Sequence, residues 1–364
     1  MQTPEAARIQ DNILNFSCHK DNKKMYVVPK SEIKIGDVMF YGDNSGVSAV
    51  EIDSSVRNLG GTAKITIPRN FKKREGKGIL DCIKVGDPVS IRLGYNDTMN
   101  QEFTGFVSHI GDNTPLVIEC DDEWYIWKKA EHLSKSWKET TLAEVLRFAF
   151  AGCSVECPDV NLSGGFIIKN ATPYEVVKGL KESYGFYTRL KNGKVSCFFP
   201  YEFSGYETHT YVFGTRDADT LQSLQNRNLS PNIADNKLTF TRKEDVKLNI
   251  TAIAKQRNGK DLKVQIGSTD ADAQKRTLTY SNEIISEADL KKKAEQDMQR
   301  FSYDGFRGDI TGFGVPQTKA GDSLKIVDGE NPEREGTYLI ESVKITYSIS
   351  GGFRRKNKLS FKVG

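Results

Sequence analysis

Apolar and polar residues alternate with a period of two through most of this chain, and the period lengthens to that of a helix in three places. From Lys34 to about Trp127, short alternating segments are separated by turn residues: Val47–Asp53, Thr62–Ile67, Val89–Leu93, Glu102–Ile110 and Pro115–Cys120. Side chains on a strand point alternately to its two faces, so this pattern predicts half-buried strands spaced as in a sandwich or small barrel. The residues before it mix charge, Asn and isolated apolar positions, with a short strand candidate at Met25–Val28 that Pro29 closes. They are expected to form an arm or edge strand.

The first change of period follows Thr141-Leu-Ala-Glu144, a capping box in which a hydroxyl and a carboxylate satisfy free N–H groups at a helix start. Leu142, Val145, Leu146 and Ala149 then recur at helical spacing until Gly152. Thr172-Pro-Tyr-Glu175 repeats the device with Pro173 at the first helical position, and Val176, Val177, Leu180 and Tyr184 form the apolar stripe before Gly185. Phe186–Leu190 and Lys194–Phe199 read as strands joined by Lys191-Asn192-Gly193, since Asn-Gly readily takes the positive φ angles of a tight hairpin.

Strand patterning returns at Lys237. Val246–Ile253 and Asp261–Ile266 flank an Asn258-Gly259 turn, and a third helix opened by Ser286-Glu-Ala-Asp289 carries Leu290, Ala294, Met298 and Phe301 on one face. Gly336–Ser350 and Phe353–Val363 meet across Gly351-Gly352 as a closing ribbon. The expected fold is mainly β with an α+β insert: an arm at 1–33, a first β-barrel at 34–134, a helix-containing insert at 135–236, and a second barrel at 237–364 with one helix and a C-terminal β-ribbon.

One phrase occurs in both β regions. Lys84-Val-Gly-Asp-Pro-Val-Ser-Ile91 matches Lys319-Ala-Gly-Asp-Ser-Leu-Lys-Ile326 in its Lys, Gly, Asp and Ile. Gly accepts φ values that a Cβ forbids and Asp closes an Asx-turn, so the pair makes a tight turn into a strand. Two readings fit: a turn that many strands use, or two related barrels in one chain.

The order of these segments resembles that of a known family. Glu51–Leu59 leading to Thr62–Arg69, then Lys84–Asp87 and Gly105–Ile110, look like the first barrel of phage-tail hub proteins. The helix at Ala288–Arg300, Gly308–Pro316, Ala320–Asp322, Gly336–Val343 and Gly351–Arg355 follow in the order of the late control protein D family of contractile tails and of the hub part of type VI secretion spike proteins. The resemblance implies a structural, non-enzymatic baseplate hub without cofactor or metal. It implies a homotrimeric ring in which two barrels per subunit adapt a six-fold tail tube to a three-fold spike. Its partners would be copies of itself, a tube protein and a central spike protein, with DNA or a tape protein passing through the lumen. Its place would be the virion tail baseplate, assembled in the bacterial cytoplasm.

Composition narrows the alternatives. A chain of 364 residues is long enough for two or three cores. Its 52 basic and 48 acidic residues nearly balance, so bulk charge does not imply binding to nucleic acid or an anionic membrane. The polar start Met1–Glu5 does not read as a signal peptide, and no apolar run approaches the roughly 18 residues that cross a bilayer. Cys18, Cys82, Cys120, Cys153, Cys157 and Cys197 lack framework spacing and are expected to be reduced.

Candidate chemistry is sparse. His19, His109, His132 and His209 sit in no catalytic spacing, and Cys153-x-x-x-Cys157 lacks the second pair that a structural zinc site needs. Asp121-Asp122-Glu123 beside Trp124 and Trp127 reads either as a carboxylate site or as a solvated strand end with aromatic packing behind it. Two rivals to the hub follow: a glycan-binding adhesin stacking sugars on Trp124, Trp127 or Trp137, and a hydrolase using Asp121, Glu123 or His132. For assembly, Phe71, Lys72, Lys73, Arg74 and Lys77 form a basic loop that either faces water or reaches a neighbouring ring or the lumen. Phe353, Arg354, Arg355 and Lys356 form a second candidate contact, or else a charged guard on an edge strand.

Overall fold

Ile33 and Ile35, Val50 and Ile52, Ala63, Ile65 and Ile67, and Ile91 and Leu93 lie on alternate positions of their segments, and all are buried. The period of two thus becomes one inner face per strand. The computed structural model describes residues 28–42, 46–68, 78–96, 98–162, 165–198, 207–256, 260–280 and 286–363. The strand candidate Met25–Val28 (but for Val28) and the turn Asn258-Gly259 fall outside them.

The first β region contains β1 (Pro29–Ile35), β2 (Val38–Gly42), β3 (Ala49–Ser55), β4 (Thr62–Ile67), β5 (Pro88–Tyr95), β6 (Thr98–Ile110) and β7 (Leu116–Asp121). A helical layer follows: α1 (Trp124–Lys128), β8 (Leu133–Trp137), α2 (Leu142–Ala149), β9 (Ser154–Glu156), β10 (Phe166–Ala171), α3 (Pro173–Tyr184), β11 (Tyr187–Lys191) and β12 (Lys194–Phe198). Next come β13 (Thr208–Val212), α4 (Ala218–Asn226), β14 (Ile233–Thr241), β15 (Leu248–Lys255), β16 (Asp261–Gly267), β17 (Gln274–Tyr280) and α5 (Glu287–Met298). The chain closes with β18 (Gly305–Phe313), β19 (Ser323–Val327), β20 (Gly336–Ser348) and β21 (Gly352–Lys362).

Both capping boxes form. Glu144 N–H donates to Thr141 Oγ1 at 3.2 Å and Thr141 N–H to Glu144 Oε2 at 3.2 Å, while Thr172 and Glu175 exchange the same bonds at 2.8 and 3.3 Å. Asn192 and Gly193 take φ values of 51° and 69°, the handedness that the β11–β12 hairpin needs. No helix among the described residues is long and apolar enough to cross a membrane.

A 13-stranded sheet contains both barrels, in the order β14-β18-β21-β20-β3-β4-β7-β6-β5-β1-β2, with β19 added beside β20 and β13 beside β19. The duplication read from the shared phrase is present in the topology. β3-β4-β7-β6-β5 and β14-β18-β21-β20-β19 use the same chain order, and every neighbour in both sets is antiparallel. The turns repeat down to their bonds: Lys84 N–H reaches Asp87 Oδ2 at 2.8 Å and Lys319 N–H reaches Asp322 Oδ2 at 2.9 Å. Gly86 and Gly321 have φ of 95° and 97°, and their N–H groups donate to Val107 O on β6 and Ile340 O on β20.

Three segments sit elsewhere than the sequence reading expects. Pro29–Ile33, assigned to the arm, is already strand paired with β5. β13 and the start of β14, assigned to the insert, belong to the large sheet. Leu248–Tyr280, assigned to the second barrel, forms its own sheet β16-β15-β17 with α5 packed on it. Leu248, Ile250, Ala252, Leu290 and Ala294 share a core with Trp124, Leu142, Phe150, Leu180 and Phe186 of the helical layer. A period of two reports a strand and is silent about which strand it pairs with.

Candidate assembly interface

Alternation along β21 splits the predicted contact Phe353–Lys356 into two faces. Phe353 and Arg355 point inward and are buried, which corrects the expectation that they meet a neighbour or a lumen. Arg354 lies over the Phe313 ring, and Lys356, 43% exposed, pairs with Asp309 at 2.7 Å. Only these two of the four face outward.

What Arg355 meets is the other barrel. Its Nη2 donates to Glu102 Oε1 on β6 at 2.6 Å, its Nε to Gly314 O at 2.9 Å and its Nη1 to Thr318 O at 3.0 Å. Both side chains are almost wholly buried, at 1% and 2% exposure. Burial pushes the Glu102 carboxyl up, and the Arg355 guanidinium opposes that shift. Around the pair, Tyr95 Oη donates to Phe353 O at 2.8 Å, Gln317 Nε2 to Gln101 O at 2.7 Å, and Asn357 Nδ2 to Tyr211 Oη at 2.8 Å. Each guanidinium direction finds an acceptor, so the buried cation is satisfied and fixes how the barrels meet.

The barrels also join strand to strand. β20 pairs with β3 over Ser342–Ser348 against Ala49–Ser55, and Lys344 bridges to Glu51 at 2.7 Å across the seam. β14, the counterpart of β3 in the second repeat, has one neighbour among the described residues, β18. Its Ala234, Asp235, Asn236, Lys237, Thr239 and Phe240 are exposed. β6, the counterpart of β20, pairs with β7 over Phe106–Ile110 and beyond Phe106 has no strand on its other side among the described residues. Among the described residues the chain therefore carries one seam of this kind and the two separate halves of another. The basic loop Phe71, Lys72, Lys73, Arg74 and Lys77 lies outside the described residues.

The carboxylate cluster at the end of β7 is structural in every contact it makes. Asp121 pairs with Lys128 at 2.9 Å, and Glu123 accepts the Asn192 and Gly193 N–H groups at 3.0 and 3.1 Å, tying the β11–β12 hairpin to the barrel. Trp124 is buried edge-on to Phe150 and Tyr174, which removes it as a sugar platform. Trp127 packs on Phe150 and Trp137 on Phe148. His132 is exposed on the loop before β8. Burial raises the Cys120 and Cys197 thiols to about 12, which leaves them unreactive.

Asp122 accepts N–H groups from Gly61 at 2.5 Å and Trp124 at 3.0 Å, yet burial pushes its carboxyl up to about 6. An acid raised in the folded state favours folding most when protonated. Its contribution is complete below the ordinary carboxylate range and is lost as pH rises through about 6. Between about pH 4 and pH 7 the native protein should therefore lose on the order of 3 kcal/mol relative to Asp122→Asn, as read from urea midpoints. Parallel pH curves for the two proteins would contradict this.

One cluster escaped the sequence reading. Glu207, His209 and Asp322 bring two carboxylates and an imidazole within 4.8 Å, with His209 Nε2 3.0 Å from Asp322 Oδ2. The alternation that puts Glu207 and His209 on one face was visible, but the parallel pairing of β13 with β19 that brings them to Asp322 was not. The same Asp322 oxygen accepts the Lys319 N–H of the repeated turn, so the arrangement works as a clasp between β13 and that turn.

A scan against family models and a search of curated protein sequences found no match. Solved structures do match. The tail protein from Neisseria meningitidis MC58 is 14% identical, with 91% of this chain and 96% of that one covered at a TM-score of 0.58. The 43 kDa tail protein of prophage MuSo2 from Shewanella oneidensis is 14% identical, with 91% and 97% covered at 0.56. The PdpA-VgrG complex of Francisella is 12% identical, with 94% of this chain and 53% of that one covered at 0.50. The chain has the β-rich fold of these tail proteins, the fold that the order of its sequence segments implied.

Proposed function

We propose that this chain is a structural hub subunit of a contractile phage tail or tail-like injection system, and that three copies close into a ring between a six-fold tube and a three-fold spike. The observation that carries this reading is the duplicated sheet with its single internal seam. If β14 of one copy meets β6 of the next as β3 meets β20 within the chain, the internal join repeats between copies, and each copy adds two similar units. Three doubled subunits then present six like units to a tube and three to a spike. The fold shared with phage tail proteins supports a tail role, and the reading assigns no catalytic step. Trp124, buried behind Phe150 and Tyr174, speaks against the glycan-binding alternative.

The basic loop gains a place in this picture from chain order alone. It lies between β4 and β5, as Gly314–Thr318 lies between β18 and β19, and Gln317 of that segment bonds across to the other barrel. By the same repeat, Lys72, Lys73 and Arg74 would meet the next copy or face the lumen where DNA or a tape protein passes. Light scattering across concentration tests the ring: the expected mass is three times that of the chain, falling when Lys72, Lys73 and Arg74 are replaced together by Glu. A monomer at every concentration, unchanged by a spike partner, would remove the hub reading; an unaltered trimer in the Glu variant would remove the loop from the contact.

A further inference from the structure

Where the first barrel, the β15–β17 sheet and the second barrel converge, two adjoining cavities of about 520 and 250 Å³ share Arg57, Arg276 and Glu341 in their walls. Arg57 comes from the β3–β4 turn, Arg276 from β17 and Glu341 from β20, and Arg307 of β18 and Lys358 of β21 line the smaller cavity. In the smaller cavity four cationic groups thus face one carboxylate, and Lys275 lines the larger one. That carboxylate is already engaged twice, by Arg57 Nη2 at 2.5 Å and Lys358 Nζ at 2.8 Å.

The other two guanidiniums make no contact ion pair among the described residues. Arg276 lies over the Phe301 ring at 4.5 Å and makes no hydrogen bond there. Arg307 gives its Nη2 to Phe301 O at 2.7 Å, while its Nε is buried with no acceptor. Burial, followed by repulsion from Arg57 and Arg307 and opposed by the more distant Glu341, holds the Arg276 guanidinium below its ordinary range. Buried guanidiniums are ordinarily paired, and a planar fork with free N–H groups is matched by the oxygens of a phosphate or carboxylate.

We propose that this cavity binds a small oxyanion of the phosphate class, held by the Arg276 and Arg307 guanidiniums with Arg57 at its mouth. The bound anion joins Arg276 of β17 to Arg57 and Arg307, the guanidiniums that repel it, and so acts as an internal clamp on the chain, independent of the hub reading. Inorganic phosphate is the probe: thermal unfolding of the full chain is followed as phosphate replaces chloride at constant ionic strength. The expected result is a saturable rise in Tm of about 2–4 °C. Arg276→Gln should lose that rise, and Lys194→Gln, on the remote β11–β12 hairpin, should keep it. Arg276→Lys retains the charge without the fork and should weaken the apparent affinity about tenfold, read also from broadening of the phosphate ³¹P line. No rise beyond that in chloride, or a full rise in Arg276→Gln, overturns the proposal.

Discussion

Arg355→Ala should lower stability by about 3–5 kcal/mol, because it strands the Glu102 carboxylate in a site where the described residues offer it no other cation at contact distance. The same change deprives Gly314 O and Thr318 O of their donor and leaves a space between the barrels. With the guanidinium gone, burial is opposed only by the Gln317 hydrogen bond and the Lys319 charge and pushes the Glu102 carboxyl further up. The deficit should therefore shrink as pH falls and Glu102 takes a proton, and should be largest above neutrality. Urea midpoints of Arg355→Ala across pH measure this. Arg355→Met combined with Glu102→Leu should recover most of the loss, since removing both charges also removes the desolvation penalty. A single variant that loses less than about 1 kcal/mol would mean that water reaches the site and screens it.

The second large effect concerns the free edge of β14. Neighbouring residues on a strand direct their N–H groups to opposite edges, so of Lys237→Pro and Leu238→Pro one removes a bond to β18 and the other an outward donor. The first should unfold the second barrel. The second should leave a folded subunit, with unchanged circular dichroism, that elutes as a monomer. A folded proline variant that remains a full trimer would falsify the β14 seam, while leaving open a ring held by other surfaces. The comparison is sensitive because the internal seam engages seven residues of β3, and an edge of that length loses register when one of its bonds is blocked.

The elements legible in the sequence were those whose cause is local. Thr141 with Glu144 and Thr172 with Glu175 announce helix starts because the bonds they make lie within four residues. The Gly-Asp turn is legible for the same reason, and its repetition fits either a common strand-entry turn or a doubled β unit, of which the strand order agrees with the second. What was not legible depends on partners far along the chain. Leu248–Tyr280 reads as barrel strand, but its apolar face is claimed by α5 and the helical layer. Arg355 reads as surface because a lone charge usually faces water, and it is buried because Glu102, 253 residues away, receives it. The pairing of β20 with β3, which forms the seam, carries no local mark in either strand.

The two repeats also differ at one junction. β3 and β4 are joined by a short turn at Val56–Gly61, whereas the corresponding strands β14 and β18 are separated by β15, β16, β17 and α5. The cost of closing a connection grows only slowly with its length, so the sheet tolerates either solution at the same joint. That joint is a socket. What is plugged into it can be exchanged or enlarged without altering the β14 and β6 edges, which leaves the character of the inserted layer independent of the geometry of the sheet that carries it.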